Sequence, residues 1–322
     1  MGRSSEREEV RRMTTSLNPV SPAPRPSVWR QLRAGVTHPA GVLFLALWVA
    51  GAATLALRGR AELVLEVVFR LLIINLIPLV VLLRRTPYPP APDAPRHRRW
   101  VLWVQVAFLA ALIALGVLYV LGHYGLIPSR WTQVPVWTQA NEALEHLGEK
   151  LFGQRRIVAN PALNALLPGL VLWLGGVCPA ELWLRRGHSS FAVAAPYLIF
   201  VAIAVVPPVI AGDTRTAAMV GLMLVRNFFV NGFTEEFLFR GALQTRLSQL
   251  LGEGWGLVLA SLIFGVAHVG GLMPALDGDV LAALGLCITS RAAAGLIFGI
   301  LAIRTRSLIA PTVAHLTLNL FG

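Results

Sequence analysis

The sequence predicts an all-α protein, a multi-pass transmembrane helix bundle of about eight or nine spans with a polar site in the membrane core. Hydrophobic residues make up 56% of the 322 residues and charged residues only 14%, whereas soluble domains carry about 25% charged residues. The mean hydropathy is +0.66. The apolar residues also fall in runs of about 20, which is the length needed to cross a bilayer.

The first 189 residues divide into two parts. Residues 1–37 are polar, Arg-rich and broken by prolines, so they are expected to form a disordered cytoplasmic tail. Residues 38–189 are expected to form the N-terminal membrane helices. Within them, residues 123–160 are the longest polar interruption, and an amphipathic stretch at 142–152 indicates an interfacial helix or a small extramembrane cap. The spans predicted in these residues are 40–57, 63–83, 100–121 and 161–184.

Residues 190–322 are expected to form a second group of membrane helices, which we treat as one core. The predicted spans are 191–210, 217–239 (continuing as helix to about 250), 255–273, 281–303 and the short 308–321. No internal repeat is evident along the chain.

The charge distribution predicts how the chain is oriented. The net charge is +12, but the arginines collect at the ends of apolar runs, where the positive-inside rule explains them without a nucleic acid partner. The arginines agree best with the positive-inside rule if the protein lies in a bacterial cell membrane with its N-terminus in the cytoplasm. Arg58 and Arg60 deviate, since they fall on the outer side together with Asp277 and Asp279.

Several ionisable residues lie inside the apolar runs. A charge in the bilayer core costs free energy, so each of these residues is expected to have a partner or a function. Glu66 and Arg70 are four residues apart on one helix, as are Glu181 and Arg185, and both are predicted to be structural ion pairs. Arg291 has no obvious partner in its own helix.

One predicted helix carries two adjacent carboxylates and a guanidinium, Glu235, Glu236 and Arg240. Glu236 and Arg240 are four residues apart, so they can form an ion pair on the same face. Glu235 points about 100° away around the helix. This geometry suggests that Arg240 keeps Glu236 fixed, while Glu235 is free to face a cavity as a proton-transfer group.

Two neighbouring spans carry polar side chains as well. His268 lies in one, and His315 and Asn319 share a face of the last. Buried separately and without partners, such groups would each cost several kcal/mol, so they are expected to converge with Glu235 on one polar site. A carboxylate beside an imidazole can activate water, and a second imidazole with an amide can stabilise an oxyanion. Alternatively, the histidines and a glutamate could bind zinc.

These residues resemble the motifs of a known family, the CAAX-protease and bacteriocin-processing membrane proteins (Abi), to which the Ras-converting enzyme belongs. The family's EExxxR, FxxxH and HxxxN motifs read here Glu235-Glu236-Phe-Leu-Phe-Arg240, Phe264-Gly-Val-Ala-His268 and His315-Leu-Thr-Leu-Asn319, in order and without departures. The resemblance covers about residues 190–322.

The resemblance implies a helical intramembrane protease, a hydrolase that is either a metalloprotease or a glutamate-type peptidase. It implies Glu235 as the catalytic carboxylate, His268 as its partner, and His315 with Asn319 as oxyanion or ligand groups, with Glu236, Arg240 and Phe264 completing or supporting the site. If zinc is the cofactor, Glu235, His268 and His315 would be its ligands. Zinc-dependent and glutamate-type chemistry both remain open.

Three functions compete at this point. The first is an endopeptidase that uses Glu-activated water on a membrane-associated or CAAX-like substrate, with a peptide or a lipidated protein and membrane lipids as its partners. The second is a non-hydrolytic membrane partner that binds or sequesters a protein or lipidated peptide in an immunity or scaffold role. The third is a transporter or proton relay, for which paired broken helices and an inverted repeat are not evident. Neither the substrate nor the oligomeric state can be predicted from the sequence.

Overall fold

The computed structural model describes residues 27–86 and 96–321, and these residues form helices and turns without a strand. The predicted all-α fold is therefore confirmed. The principal helices are α1 (Val28–Thr37), α2 (Pro39–Leu57), α3 (Ala61–Arg85), α4 (Arg99–His123), α5 (Pro135–Phe152), α6 (Arg156–Leu174), α7 (Ser190–Ile210), α8 (Thr214–Leu251), α9 (Glu253–Leu272), α10 (Val280–Thr305) and α11 (Ile309–Leu320). Short turns of helix at Ser129–Thr132, Pro179–Leu182 and Pro274–Leu276 lie between them.

Within the described ranges, eight of these helices, α2–α4 and α6–α10, are long and apolar enough to cross a membrane. The protein is therefore a multi-pass membrane protein. The predicted ninth span corresponds to α11, which has 12 residues and is too short to cross a hydrocarbon layer of about 30 Å at 1.5 Å per residue.

Two predicted boundaries differ from the structure. Residues 28–37 form helix α1 where a disordered tail was expected, and the rest of that tail, residues 1–26, lies outside the described residues. Helix α6 ends at Leu174, ten residues before the predicted end at residue 184. Gly176 there has a positive φ of 84°, and Pro179 follows, so the chain turns although it remains apolar.

The long polar interruption contains α5, which the sequence predicts as an interfacial or extramembrane element. Helix α5 is amphipathic and ends at Gly153 in the left-handed region. Its indole at Trp137 donates to the carbonyl oxygen of Leu115 in α4 at 3.1 Å. An ion pair of 2.8 Å joins Glu145, in the second half of α5, to Arg155, the residue before α6. These contacts attach α5 to two membrane helices.

The centre of the bundle is formed by α9 and α10. In their apolar windows 44% and 56% of the residues are buried, against 22% or less in the other six spans. The two helices approach closely at Gly265, where a Cβ would lie 2.7 Å from the Cβ of Ala292. Helix α8 packs against α9, and the carboxylates of its second half contact side chains of α9 and α11.

Candidate active site

The two adjacent carboxylates lie on a short α-helical turn, Phe233–Glu236, between two π-helical segments of α8. These segments are Phe228–Gly232 and Phe237–Gln244. Such widened turns are frequent at functional sites, because the extra residue changes the direction of the side chains that follow. In α8 the helical pitch changes on both sides of Glu235 and Glu236, the two carboxylates of the predicted site.

Glu236 and Arg240 form the predicted ion pair, with a distance of 3.0 Å between Arg240 Nη1 and Glu236 Oε1. Both side chains are almost completely buried, at 0% and 1% exposure. The guanidinium also lies 4.2 Å from the ring centre of Phe264 and 5.2 Å from that of Phe298. Aromatic faces stabilise a cation that has lost its water, so Arg240 is compensated by a carboxylate and by two rings.

The same carboxylate positions His315 from α11. The His315 Nδ1 lies 2.8 Å from Glu236 Oε1, and the imidazole stacks on the Phe298 ring at 5.0 Å. Because an ionised carboxylate only accepts hydrogen bonds, Nδ1 carries the proton and Nε2 points away from Glu236. Arg240, Glu236 and His315 thus form one buried chain of charge-assisted contacts.

His268 is oriented by a backbone group instead. Its Nδ1 lies 2.7 Å from the carbonyl oxygen of Phe264, and its ring packs edge-on against the Phe264 ring at 4.6 Å. Since a carbonyl oxygen only accepts, Nδ1 must donate, and Nε2 is left with a lone pair in the neutral imidazole. The FxxxH spacing therefore fixes both the position and the tautomer of this histidine.

Glu235 lies between the two imidazoles. Its Oε2 is 3.5 Å from His268 Nε2 and 3.9 Å from His315 Nε2, and it has no hydrogen-bond partner among the described residues. Three acceptor atoms thus point towards one another at distances longer than a direct hydrogen bond. Such an arrangement is satisfied by a shared donor, either a proton on one of the groups or a water molecule between them.

The residue types also raise the question of zinc, since imidazole and carboxylate are ligands that zinc prefers. In both histidines Nδ1 makes a hydrogen bond, which leaves Nε2 free, and such a bond orients the imidazole ring in many metal sites. However, in residues 27–86 and 96–321 no group of three or more His, Cys, Asp or Glu side chains is placed to hold a metal ion. Zinc binding by Glu235, His268 and His315 therefore stays a prediction from the sequence.

A cavity of about 250 Å³ brings most of the predicted residues together. Glu235, His268, His315, Asn319 and Phe264 line it, together with Arg70, Leu71, Arg156, Asn231, Ser290, Arg291, Ala294, Phe298 and Leu318. Glu236 and Arg240 do not line it and reach it only through His315. The predicted division between Glu235 and Glu236 therefore corresponds to two different environments on one helix.

Three arginines of the cavity were not predicted as site residues. Arg70 was assigned to an ion pair with Glu66, but among the described residues no carboxylate lies within 4.0 Å of Arg70, Arg156 or Arg291. The signal that could have found Arg70 and Arg291 is their position inside apolar spans, where an arginine costs about 2.5–3.5 kcal/mol and marks a functional group by default.

The second structural pair expected from the sequence was also wrong. Glu181 lies 3.4 Å from Arg246 of α8 and 3.4 Å from His97. Arg185, its predicted partner, donates instead to the carbonyl oxygen of Arg306 at 3.1 Å.

The fold and the cavity define a class, the multi-pass helical membrane proteins that enclose a carboxylate–imidazole cluster. Residues 217–321 match the family described as "Type II CAAX prenyl endopeptidase Rce1-like". This region includes Glu235, His268, His315 and Asn319, and its similarity to the Rce1-like family agrees with the resemblance of the sequence motifs. The family is one of peptidases. No curated protein and no solved structure matches the chain.

Proposed function

We propose that the protein is an intramembrane endopeptidase that hydrolyses a peptide bond of a membrane-associated or CAAX-like substrate with water activated by Glu235. One observation carries the proposal. The Glu235 carboxylate lies between the Nε2 atoms of His268 and His315, at 3.5 and 3.9 Å, on the wall of a cavity. The family match adds that this region is related to endopeptidases.

In the proposed mechanism a water molecule hydrogen-bonds to Glu235 and attacks the carbonyl carbon of the scissile bond. Glu235 takes the proton from the water and passes it to the leaving amine, with His268 Nε2 sharing the proton between the two steps. General acid–base catalysis of this kind contributes about 10²–10⁴-fold. Glu235 is only 16% exposed, so few water molecules can compete for the proton.

The oxyanion of the tetrahedral intermediate needs donors on the opposite side of the carbonyl. The amide of Asn319 is one such donor on the cavity wall. His315 can donate from Nε2 when it is protonated, and Glu236 on its other nitrogen supplies the compensating charge. Glu236 and Arg240 act through His315 and are therefore positioning residues.

The test is a cleavage assay on the purified full chain, with a mass-spectrometric readout on a library of apolar peptides. Glu235→Gln keeps the size of the side chain but removes its basicity, so cleavage should fall by about 10²–10⁴-fold. Glu142→Gln is the matched control, because Glu142 is exposed on α5, outside the cavity. Cleavage that survives in the Glu235→Gln protein contradicts the mechanism.

The same samples distinguish the alternatives. Zinc held by Glu235, His268 and His315 remains a sequence prediction, and elemental analysis of the purified protein tests it directly. A wild-type chain that cuts no peptide but retains a protein or lipidated peptide through purification would favour the sequestering function. The expected location is a bacterial cell membrane with the N-terminus in the cytoplasm.

A further inference from the structure

The wall of the cavity carries more positive charge than the proposed hydrolysis uses. Arg70, Arg156 and Arg291 line the cavity together with Glu235, the one carboxylate of the lining. The Nε atoms of Arg70 and Arg291 are buried, and neither has a hydrogen-bond partner among the described residues. With neutral histidines, the lining therefore has an excess of two positive charges.

The bundle gives these charges no close ion pair. Arg70 and Arg291 are close enough for their charges to repel each other, and Glu235 attracts Arg291 only from beyond 4.0 Å. No carboxylate of the described residues lies within 4.0 Å of either arginine. Both side chains are partly buried, and a charge that has lost water without gaining a close partner disfavours the folded state. An anion that enters the cavity would relieve both the repulsion and the missing hydrogen bonds.

The depth of the two arginines indicates where that anion comes from. Arg70 lies about 14 Å along α3 from its start and about 22 Å from its end, and Arg291 occupies a similar position in α10. Phospholipid phosphates lie at the surfaces of a hydrocarbon layer that is about 30 Å thick. The middle of a span is out of their reach, whereas a peptide that reaches Glu235 passes beside both guanidinium groups.

We propose that Arg70, Arg156 and Arg291 form an anion-binding subsite that takes a carboxylate of the peptide substrate, and this inference rests on the proposed peptidase function. Guanidinium groups bind carboxylates through two parallel hydrogen bonds, which fixes the position of the peptide as well as its charge. Arg156 is the first residue of α6, at the end of a span, where it can receive the carboxylate before the two deeper arginines do.

Arg70 lies on α3, outside residues 217–321, the region that matches the Rce1-like family. The carboxylate has two possible sources, the free end of the chain or an Asp or Glu side chain near the scissile bond. Both present the same chemistry to the arginines, and a choice of peptides separates them.

The test uses three sets of apolar peptides, all without Glu. The first set has free carboxyl ends and no Asp, the second is the same set amidated, and the third is amidated and contains one Asp. The wild-type chain should cut the first or the third set at least about 10-fold faster than the second. Equal cleavage of all three sets overturns the proposal, and preference for the first or the third set identifies the source.

The variants Arg70→Gln and Arg291→Gln should lower kcat/KM for the preferred set by roughly 10- to 100-fold, as expected for the loss of a hydrogen bond between charged groups. Cleavage of the amidated set should not change. The matched control is Arg215→Gln, because Arg215 is exposed on α8 and does not line the cavity. An equal loss on the acidic and amidated sets would show a structural role and overturn the proposal.

Stability provides an independent readout. Because Arg70 and Arg291 have no carboxylate partner to lose, their Gln variants should keep or raise the Tm, and the Arg→Lys variants should retain part of the preference. A lower Tm in both Gln variants, together with equal loss on all peptides, would again indicate structural arginines.

A binding measurement keeps this proposal separate from the peptidase function. The Glu235→Gln chain is titrated with fluorescent peptides of the three sets, so that no hydrolysis is needed. Tighter binding of the carboxylate peptides, lost in Arg291→Gln, supports the subsite even if the wild-type chain cuts nothing. Binding that is indifferent to the carboxylate, or that anionic phosphatidylglycerol vesicles abolish at the same concentration as the peptide, overturns it.

Discussion

Arg240 lies in the polar core with its guanidinium against Glu236 on one side and the Phe264 ring on the other. Burial removes the water from both charges, so each depends on the other and on the hydrogen bond that Glu236 shares with His315. The energetic value of such a pair differs from the cost of breaking it. Replacement of one partner and replacement of both are therefore different experiments.

The variant Arg240→Gln should lower the free energy of unfolding by about 3–5 kcal/mol, because it leaves the Glu236 charge buried without its cation. Thermal unfolding of the purified protein in detergent measures the loss. The double variant Glu236→Gln with Arg240→Met removes both charges and should recover most of the stability. It should not recover cleavage, since His315 loses the carboxylate that orients it. If the double variant is as unstable as the single one, the ion pair is not the cause.

The elements that carry the site depend on close contacts between helices. Gly265 lies three residues before His268, and a Cβ there would lie 2.7 Å from the Cβ of Ala292 and 2.8 Å from the carbonyl oxygen of Cys287. These two residues belong to a π-helical segment of α10, Cys287–Ala292, which also carries Arg291. Glycine thus allows α9 and α10 to approach each other beside the cavity.

The variant Gly265→Ala should destabilise the protein by about 1–3 kcal/mol, because an added methyl group in a packed contact forces the helices apart. The matched control is Gly221→Ala on α8, where a Cβ would meet nothing within 4 Å. That substitution should be neutral or stabilise the protein by up to about 1 kcal/mol. Thermal unfolding and peptide cleavage are measured for both. Equal behaviour of the two variants would show that the α9–α10 contact is not tight.

For the molecule as a whole, the features that could be predicted from the sequence are those that depend only on the local geometry of a helix. The spans follow from runs of apolar residues, and the Glu236–Arg240 pair follows from four-residue spacing on one helix. The pairs of Glu66 with Arg70 and of Glu181 with Arg185 have the same spacing but do not form. Glu181 finds Arg246 on a distant helix, and Arg70 faces a cavity that exists only once α3 and α10 have packed. Spacing shows which pairs are possible, whereas packing decides which are made.

Packing also accounts for the two arginines that deviate from the predicted orientation. Arg58 lies 3.4 Å from Asp279, and Arg60 lies 3.0 Å from Asp277, in the connections α2–α3 and α9–α10. Each arginine is therefore matched by a carboxylate on the same side of the bundle. These ion pairs give both arginines a structural role in joining the two connections, and the orientation predicted from the other arginines still stands as the expectation.

The orientation can be tested with a cysteine that the chain already has. Cys178 is exposed in the connection between α6 and α7, whereas Cys287 is completely buried. Because α7 separates Cys178 from Asp213, the two positions lie on opposite sides of the membrane. With the N-terminus inside, a membrane-impermeant maleimide should leave the wild-type chain unlabelled in intact bacterial cells and label it after permeabilisation. The variant Asp213→Cys should be labelled in intact cells, with Asp213→Ser as its control. Labelling of the wild type in intact cells would reverse the orientation.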